Sequence, residues 1–257
     1  MGLAWLVAET HWLRVVRLKV PVAGRGRAVR VVQLSDLHGR TRFLNGRIST
    51  QVNALKPDVV CVTGDLVSHQ SDLPRVLAEL RRLECPRIYF VPGNWERETL
   101  AQGRKRLMTL AETDALLRRV SRVARVLLNA GEVLDIGGLR LLIYGFDNSL
   151  EGLDAYHPPI QSADARLLLA HSPLIIQRLR SEALPYDLLL TGDTHGGQIR
   201  VLGRTRPDVQ RWHVGAERQV RGGVFYISRG LGTTHLPLRL GSPPELLCAD
   251  LVPSGPG

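Results

Sequence analysis

Apolar residues in this chain gather in short blocks, and five of the blocks run straight into acids, amides or histidines. Residues 29–34 lead into Ser35, Asp36, Leu37 and His38, and 59–62 into Thr63, Gly64 and Asp65. Residues 88–91 lead into Pro92, Gly93, Asn94, Trp95 and Glu96. Further on, 167–170 stops at His171, and 188–190 at Thr191, Gly192, Asp193, Thr194 and His195. Blocks of four to six apolar residues bounded by Gly or Pro read as buried strands. Helical spacing fills the gaps. A helix is expected over 48–55, with Asn45 as its cap and Pro57 as its stop. A second is expected over 73–83, with Leu73, Val76, Leu77, Leu80 and Leu83 on one face. Strand and helix alternate, so the fold class is α/β, and open α/β sheets bind ligands beyond the ends of their strands.

The flanking segments extend this pattern. Residues 12–20 alternate in part and stop at Pro21, as an edge strand would, and 23–27 read as a turn. Residues 103–127 carry the longest helical period, a stripe of Leu110, Leu117, Val120, Ala124 and Leu127 with a basic flank. Gly137-Gly138 between 132–136 and 139–144 is a hairpin signal. Beyond it, 198–202, 224–228 and 245–251 read as strands.

A chain of 257 residues suits one domain spanning 1–257, with residues 1–28 as an edge strand and a surface-contacting segment. Residues 3–8 are apolar, but Glu9 and His11 interrupt them well short of the ~20 residues of a membrane span. No signal-peptide pattern is present. Cys61, Cys85 and Cys248 are scattered and odd in number, which suits buried thiols in a reducing compartment. These features predict a cytoplasmic protein with peripheral contact at the inner membrane surface. The net charge of +10 is read first as an arginine-rich solvated surface, and only second as a nucleic-acid or anionic-membrane footprint.

The polar residues at the strand ends change the picture most. Asp36, His38, Asp65, Asn94, His171, Asp193 and His195 mix oxygen and nitrogen donors, as Mn, Fe and Zn sites do. Singly, each is weak, because an Asp after a strand is commonly a turn residue or helix cap. The series as a whole predicts a metal site.

In order and spacing, Asp36-Leu37-His38, Gly64-Asp65, Gly93-Asn94-Trp95-Glu96, His171 and Gly192-Asp193-Thr194-His195 resemble the calcineurin-like metallophosphoesterases. The Gly196-Gly197-Gln198 run, the 228–232 loop and Arg239-Leu240 before Pro243-Pro244-Glu245 resemble a small bacterial branch. That branch holds membrane-associated phosphodiesterases and UDP-2,3-diacylglucosamine hydrolases. The resemblance implies a four-layer α/β sandwich, two packed mixed sheets flanked by helices. It also implies two divalent ions (Mn, Fe or Zn). One would lie at Asp36, His38, Asp65 and His195, the other at Asp65, Asn94, His171 and Asp193, with Asp65 bridging. A metal-bound hydroxide would attack phosphorus, with Asn94, His171 and Asp65 counted among the catalytic residues. The expected substrate is a phosphorylated small molecule or lipid. Arg229, in the loop after 224–228, is the candidate substrate-phosphate contact, with a surface arginine in a turn as its alternative.

Two positions depart from the family pattern. Asp193 stands where a histidine is usual, which hardens that site toward Mn or Fe. Trp95 stands where the family has a histidine beside the leaving group, and an indole is no acid. The expectation is a preference for phosphoanhydrides and activated aryl esters. Two other readings remain at this stage. A nuclease is less favoured, because no stretch interleaves aromatics with basic residues. A scaffold that has lost turnover sits poorly with so many clustered polar groups.

Overall fold

The computed structural model describes residues 2–101, 104–220 and 222–255. Its two large sheets are mixed and six-stranded. The first runs Arg14–Val22, Glu245–Pro253, Val29–Leu34, Val59–Thr63, Ile88–Val91 and Arg125–Val126 in spatial order. The second runs Ala130–Ile136, Leu139–Gly145, Ala165–Leu169, Leu188–Thr191, Val224–Ile227 and Gly215–Arg218. The strands that lead into the candidate ligands are parallel neighbours within each sheet.

Side chains alternate across a strand, and here both faces are apolar. Val29, Val31, Val59 and Cys61 of the first sheet meet Leu139, Leu141, Leu167, Leu169 and Leu188 of the second in one shared core. The opposite positions, Val32, Leu34, Val60 and Val62, pack with Ile48, Val52, Leu73, Val76, Leu116 and Val120 of three helices. Leu142, Leu168 and Leu189 face outward from the second sheet onto Ile175, Ile176 and Leu179 of the helix Ile175–Ser181. The result is helix, sheet, sheet, helix, as expected. Each fully buried Val or Leu contributes about 1.5–3 kcal/mol of transfer free energy.

Several boundaries differ from expectation. Of the helix expected over 103–127, residue 103 lies outside the described residues, and 104–127 are not one helix. Arg104–Leu107 is a strand, the helix is Leu110–Val120, and Arg125–Val126 joins the first sheet beside Tyr89 and Phe90. A reciprocal cap of Thr109 and Glu112 starts the helix, and Leu110, counted in the expected stripe, lies exposed at its first position. Asn45 does not cap the helix Ile48–Ala54. Its side chain bonds both backbone groups of Leu13, and the Glu79 carboxylate accepts from Ser49 N instead. Residues 198–202 form isolated bridges instead of a strand, because Gln198 and Leu202 leave the extended region, with positive φ of 51° and 50°. The edge strand continues through Pro21 to Val22, as the outer position allows. The helix expected over 73–83 ends at Leu80. The apolar N-terminal residues form a helix, Leu3–His11, that sequence spacing did not reveal. The hairpin stands as expected, with Gly137 and Gly138 at φ of 63° and 87°, values suited to its two-residue turn. All three cysteines are free and buried.

Candidate metal centre

Five strand ends converge along one rim of the two packed sheets. Leaving each strand, the backbone turns sharply, and the turning residue is often itself a candidate ligand. Asp36, His38, Asp65, Asp193 and His195 all have positive φ, between 44° and 69°. Asp and His tolerate this region better than most residues, yet a non-glycine there still costs of order 1 kcal/mol. Strain repeated at five of seven expected ligands marks a functional site.

Close approach of the loops requires glycine at two points. A Cβ on Gly192 would overlap Ser35 Oγ and Asp36 Oδ2. One on Gly64, whose φ is +80°, would stand 2.6 Å from His171 Nδ1 and from Gly93 N. Glu96 binds two of the loops together. Its carboxylate accepts from Asp65 N at 2.9 Å, Leu66 N at 2.9 Å and Gly93 N at 2.7 Å. Burial, followed by the charge of Asp65, pushes Glu96 up to about 7 against those three amides.

The donor atoms of Asp36, His38, Asp65 and His195 all lie within 4.8 Å of one another. His38 Nε2 faces His195 Nε2 at 3.1 Å, and Asp36 Oδ1 lies 3.6 Å from the latter. Asp65 Oδ2 is 3.5 Å from His38 Nε2 and 3.4 Å from His171 Nε2, and His171 Nε2 is 3.6 Å from Asp193 Oδ1. The other ring nitrogens are occupied. His171 Nδ1 donates to Thr63 O at 2.8 Å, His38 Nδ1 meets Ser68 Oγ at 2.8 Å, and Arg239 Nη2 lies 3.3 Å from His195 Nδ1. Such partners orient the rings and turn each Nε2 toward the carboxylates. His171 Nε2 is buried without a hydrogen-bond partner, and the Nε2 atoms of His38 and His195, 3.1 Å apart, can share a proton or a cation between them. This donor set fits divalent metal.

The electrostatics show the same demand for positive charge. Burial pushes Asp36 up to about 7, with Asp65 and Asp193 adding to it and His171 opposing. Burial takes His38 down to about 4 and His195 well below its ordinary value, His38 and Arg239 adding to the second shift. His171 is drawn well above its ordinary value, because Asp65 and Asp193 outweigh burial. Asp65 lies low, since His171 and His38 overcome its own burial. Ligand binding would displace the proton that His171 otherwise holds.

Asn94 lies on the rim of the same cluster, where its Nδ2 donates to Glu98 Oε2 at 3.0 Å. Trp95 N donates to Asp65 Oδ1 at 3.0 Å, and the nearly buried indole meets the His38 ring edge-on at 5.8 Å. The guanidinium of Arg229, the expected phosphate contact, is ion-paired to buried Glu245, which also accepts from Tyr226 Oη. Asp147, another polar group after a strand, pairs with Arg97 at 2.7 Å. Sequence reasoning gave no role to Arg239. Fully buried behind His195, it donates to the carbonyls of Gly232 and Ser242, and burial lowers it to about 9. An arginine between Leu238 and Leu240 was the available signal.

A cavity of about 620 Å³ opens over the cluster, with Asp65, Asn94, Trp95, Asp193 and His195 in its floor. Lys105, Arg204, Arg206, Ile199, Val201 and Leu236 are among the residues of its walls.

A sequence model described as Calcineurin-like phosphoesterase matches residues 29–197, the span that contains every candidate ligand. The chain is 28% identical over 259 residues to an uncharacterized metallophosphoesterase of Aquifex aeolicus, covering 96% of this chain and 95% of that one. It is 29% identical over 258 residues to Phosphodiesterase YaeI of Escherichia coli, covering 95% and 90%. Among solved structures, a putative 5'-nucleotidase from Staphylococcus aureus superposes with a TM-score of 0.52 at 13% identity. That superposition covers 88% of this chain and 54% of the nucleotidase, so it speaks to the fold alone.

Proposed function

The chain belongs to the calcineurin-like phosphoesterase family, and from that premise we propose that it hydrolyses phosphodiester or phosphoanhydride bonds with two divalent ions. Asp36, His38, Asp65 and His195 would hold one ion, and Asp65, Asn94, His171 and Asp193 the other. The observation that carries this reading is the placement of Asp65 Oδ2, 3.5 Å from His38 Nε2 and 3.4 Å from His171 Nε2. A single carboxylate oxygen between two nitrogen donors is what a bridging ligand requires.

When bound, the ions would supply an activated water and neutralise charge on the phosphate oxygens. The chain's own residues do the rest. Glu96 keeps the Asp65 and Asn94 loops in register, Arg239 aims His195, and Thr63 aims His171. Asp193 adds a third carboxylate to the cluster, which favours Mn or Fe over Zn at the second position.

The cavity walls support an amphiphilic anionic substrate. Lys105, Arg204 and Arg206 provide positive charge, and Ile199, Val201, Val209 and Leu236 provide apolar surface. A phospholipid or nucleotide-lipid has both parts. Trp5, Val7 and Trp12 expose apolar surface at the N-terminal helix, which favours peripheral docking on a cytoplasmic membrane face. Among the described residues no helix is long and apolar enough to cross a membrane. No specific contact favours a nuclease. The test is hydrolysis of bis(4-nitrophenyl) phosphate, expected to vanish on chelation and return with Mn²⁺. Activity indifferent to chelation would refute the metal assignment.

A further inference from the structure

The segment Asn94–Glu96 is followed at once by an antiparallel ribbon, Glu98–Ala101 with Arg104–Leu107. Leu100 pairs with Lys105, so the ribbon doubles back and returns Lys105 to the cavity beside Asn94 and Trp95. Lys105 Nζ lies 5.0 Å from the centre of the Trp95 ring and is ion-paired with Glu98. The same Glu98 oxygen accepts from the Asn94 amide at 3.0 Å. An ammonium has three N–H donors, and Glu98 takes only one of them.

Other candidate proton donors are occupied or chemically unsuited. Trp95 has no acidic proton at neutral pH. Both Glu96 oxygens accept backbone amides. Arg239 is buried, Arg229 is bound to Glu245, and guanidinium does not give up its proton in any case. The Nε2 atoms of His38, His171 and His195 face the carboxylate cluster. Lys105 and His235 remain in the cavity wall. His235 is exposed, in a loop tied through Gln198 to Thr234 and Leu236, whereas Lys105 shares a partner with candidate ligand Asn94.

We propose that Lys105 donates the proton to the departing group in the hydrolysis described above, a role that rests on that reading. Water forms the new bond to phosphorus and loses a proton to solvent. The P–O bond to the leaving group breaks, its electron pair stays on the leaving oxygen, and Lys105 Nζ–H supplies a proton to that oxygen. The neutral amine recovers a proton from solvent, so the net change is addition of one water. The lysine thus removes the restriction to good leaving groups that an indole at position 95 would impose.

The experiment follows kcat/KM of the metal-loaded protein across aryl methyl phosphates, with leaving groups from 4-nitrophenol to 4-methoxyphenol. Lys105→Gln should lose less than about tenfold with the first and about 10²-fold or more with the last. Lys105→Arg should behave like Lys105→Gln, because it keeps the charge and cannot release the proton. An equal loss on every ester, restored by Lys105→Arg, would make Lys105 a phosphate contact and overturn the proposal. So would an unchanged dependence in Lys105→Gln with a steeper one in His235→Gln. If the native protein hydrolyses no member of the series, the hydrolase reading fails first and takes this one with it.

Discussion

Glu96 and Gly192 show how much of the site depends on groups that never touch a substrate. Glu96→Ala would leave the amides of Asp65, Leu66 and Gly93 buried without acceptors, at about 1–3 kcal/mol each. A loss of at least about 3 kcal/mol in urea unfolding is expected, with Glu96→Gln falling between it and the native protein. Gly192→Ala would push against Ser35 and Asp36, and a shift near 1 Å in a ligand costs roughly 10²-fold in kcat/KM. Steady-state kinetics together with an unchanged circular dichroism spectrum would establish that effect. The candidate ligands were legible in the sequence, because each follows a buried strand whose apolar run announces its end. Glu96 and Arg239 were not. Their partners mix near backbone groups, Gly93 for Glu96 and Gly232 and Ser242 for Arg239, with distant ones, 30 residues away for Glu96 and Leu66, and no local spacing encodes the distant contacts.

Strands were read more accurately than helices, and the reason is burial. Val29–Leu34 and Val59–Thr63 are apolar on both faces because each faces one core on either side, so their limits coincide with hydrophobic runs. The helix expected over 103–127 failed because Arg125–Val126 is fixed by pairing with Tyr89 and Phe90, a tertiary contact that overrides local period. The true start was marked by Thr109 and Glu112, three residues apart. Thr109→Ala is expected to cost about 1 kcal/mol of stability, measured by chemical denaturation. Glu112 is depressed to about 2 by Arg106 first and then by Thr109 N. Its contribution is therefore complete above 4.5, its ordinary value, and fades as pH falls toward about 2. The Leu3–His11 helix was hidden for a similar reason: Thr10 is bonded to Arg239, 229 residues away.

The molecule as a whole is held by one apolar layer shared between its two sheets, which favours residues 1–257 folding as a single unit. A single thermal transition seen alike by fluorescence and far-ultraviolet circular dichroism is expected, and separate transitions for the two sheets would refute it. Packing the two sheets face to face is also what brings candidate ligands from both onto one rim: Asp36, His38, Asp65 and Asn94 come from the first, His171, Asp193 and His195 from the second. Neither sheet alone would supply the donor set proposed for either ion, and Asp65 is where the two proposed sets meet. Metal stoichiometry tests that arrangement most directly, by elemental analysis of the native protein and of Asp65→Asn, both saturated with Mn²⁺ and freed of excess. Two ions per chain are expected in the native protein, with occupancy reduced at both positions in the variant. A single ion per chain, retained at full occupancy by Asp65→Asn, would contradict the account.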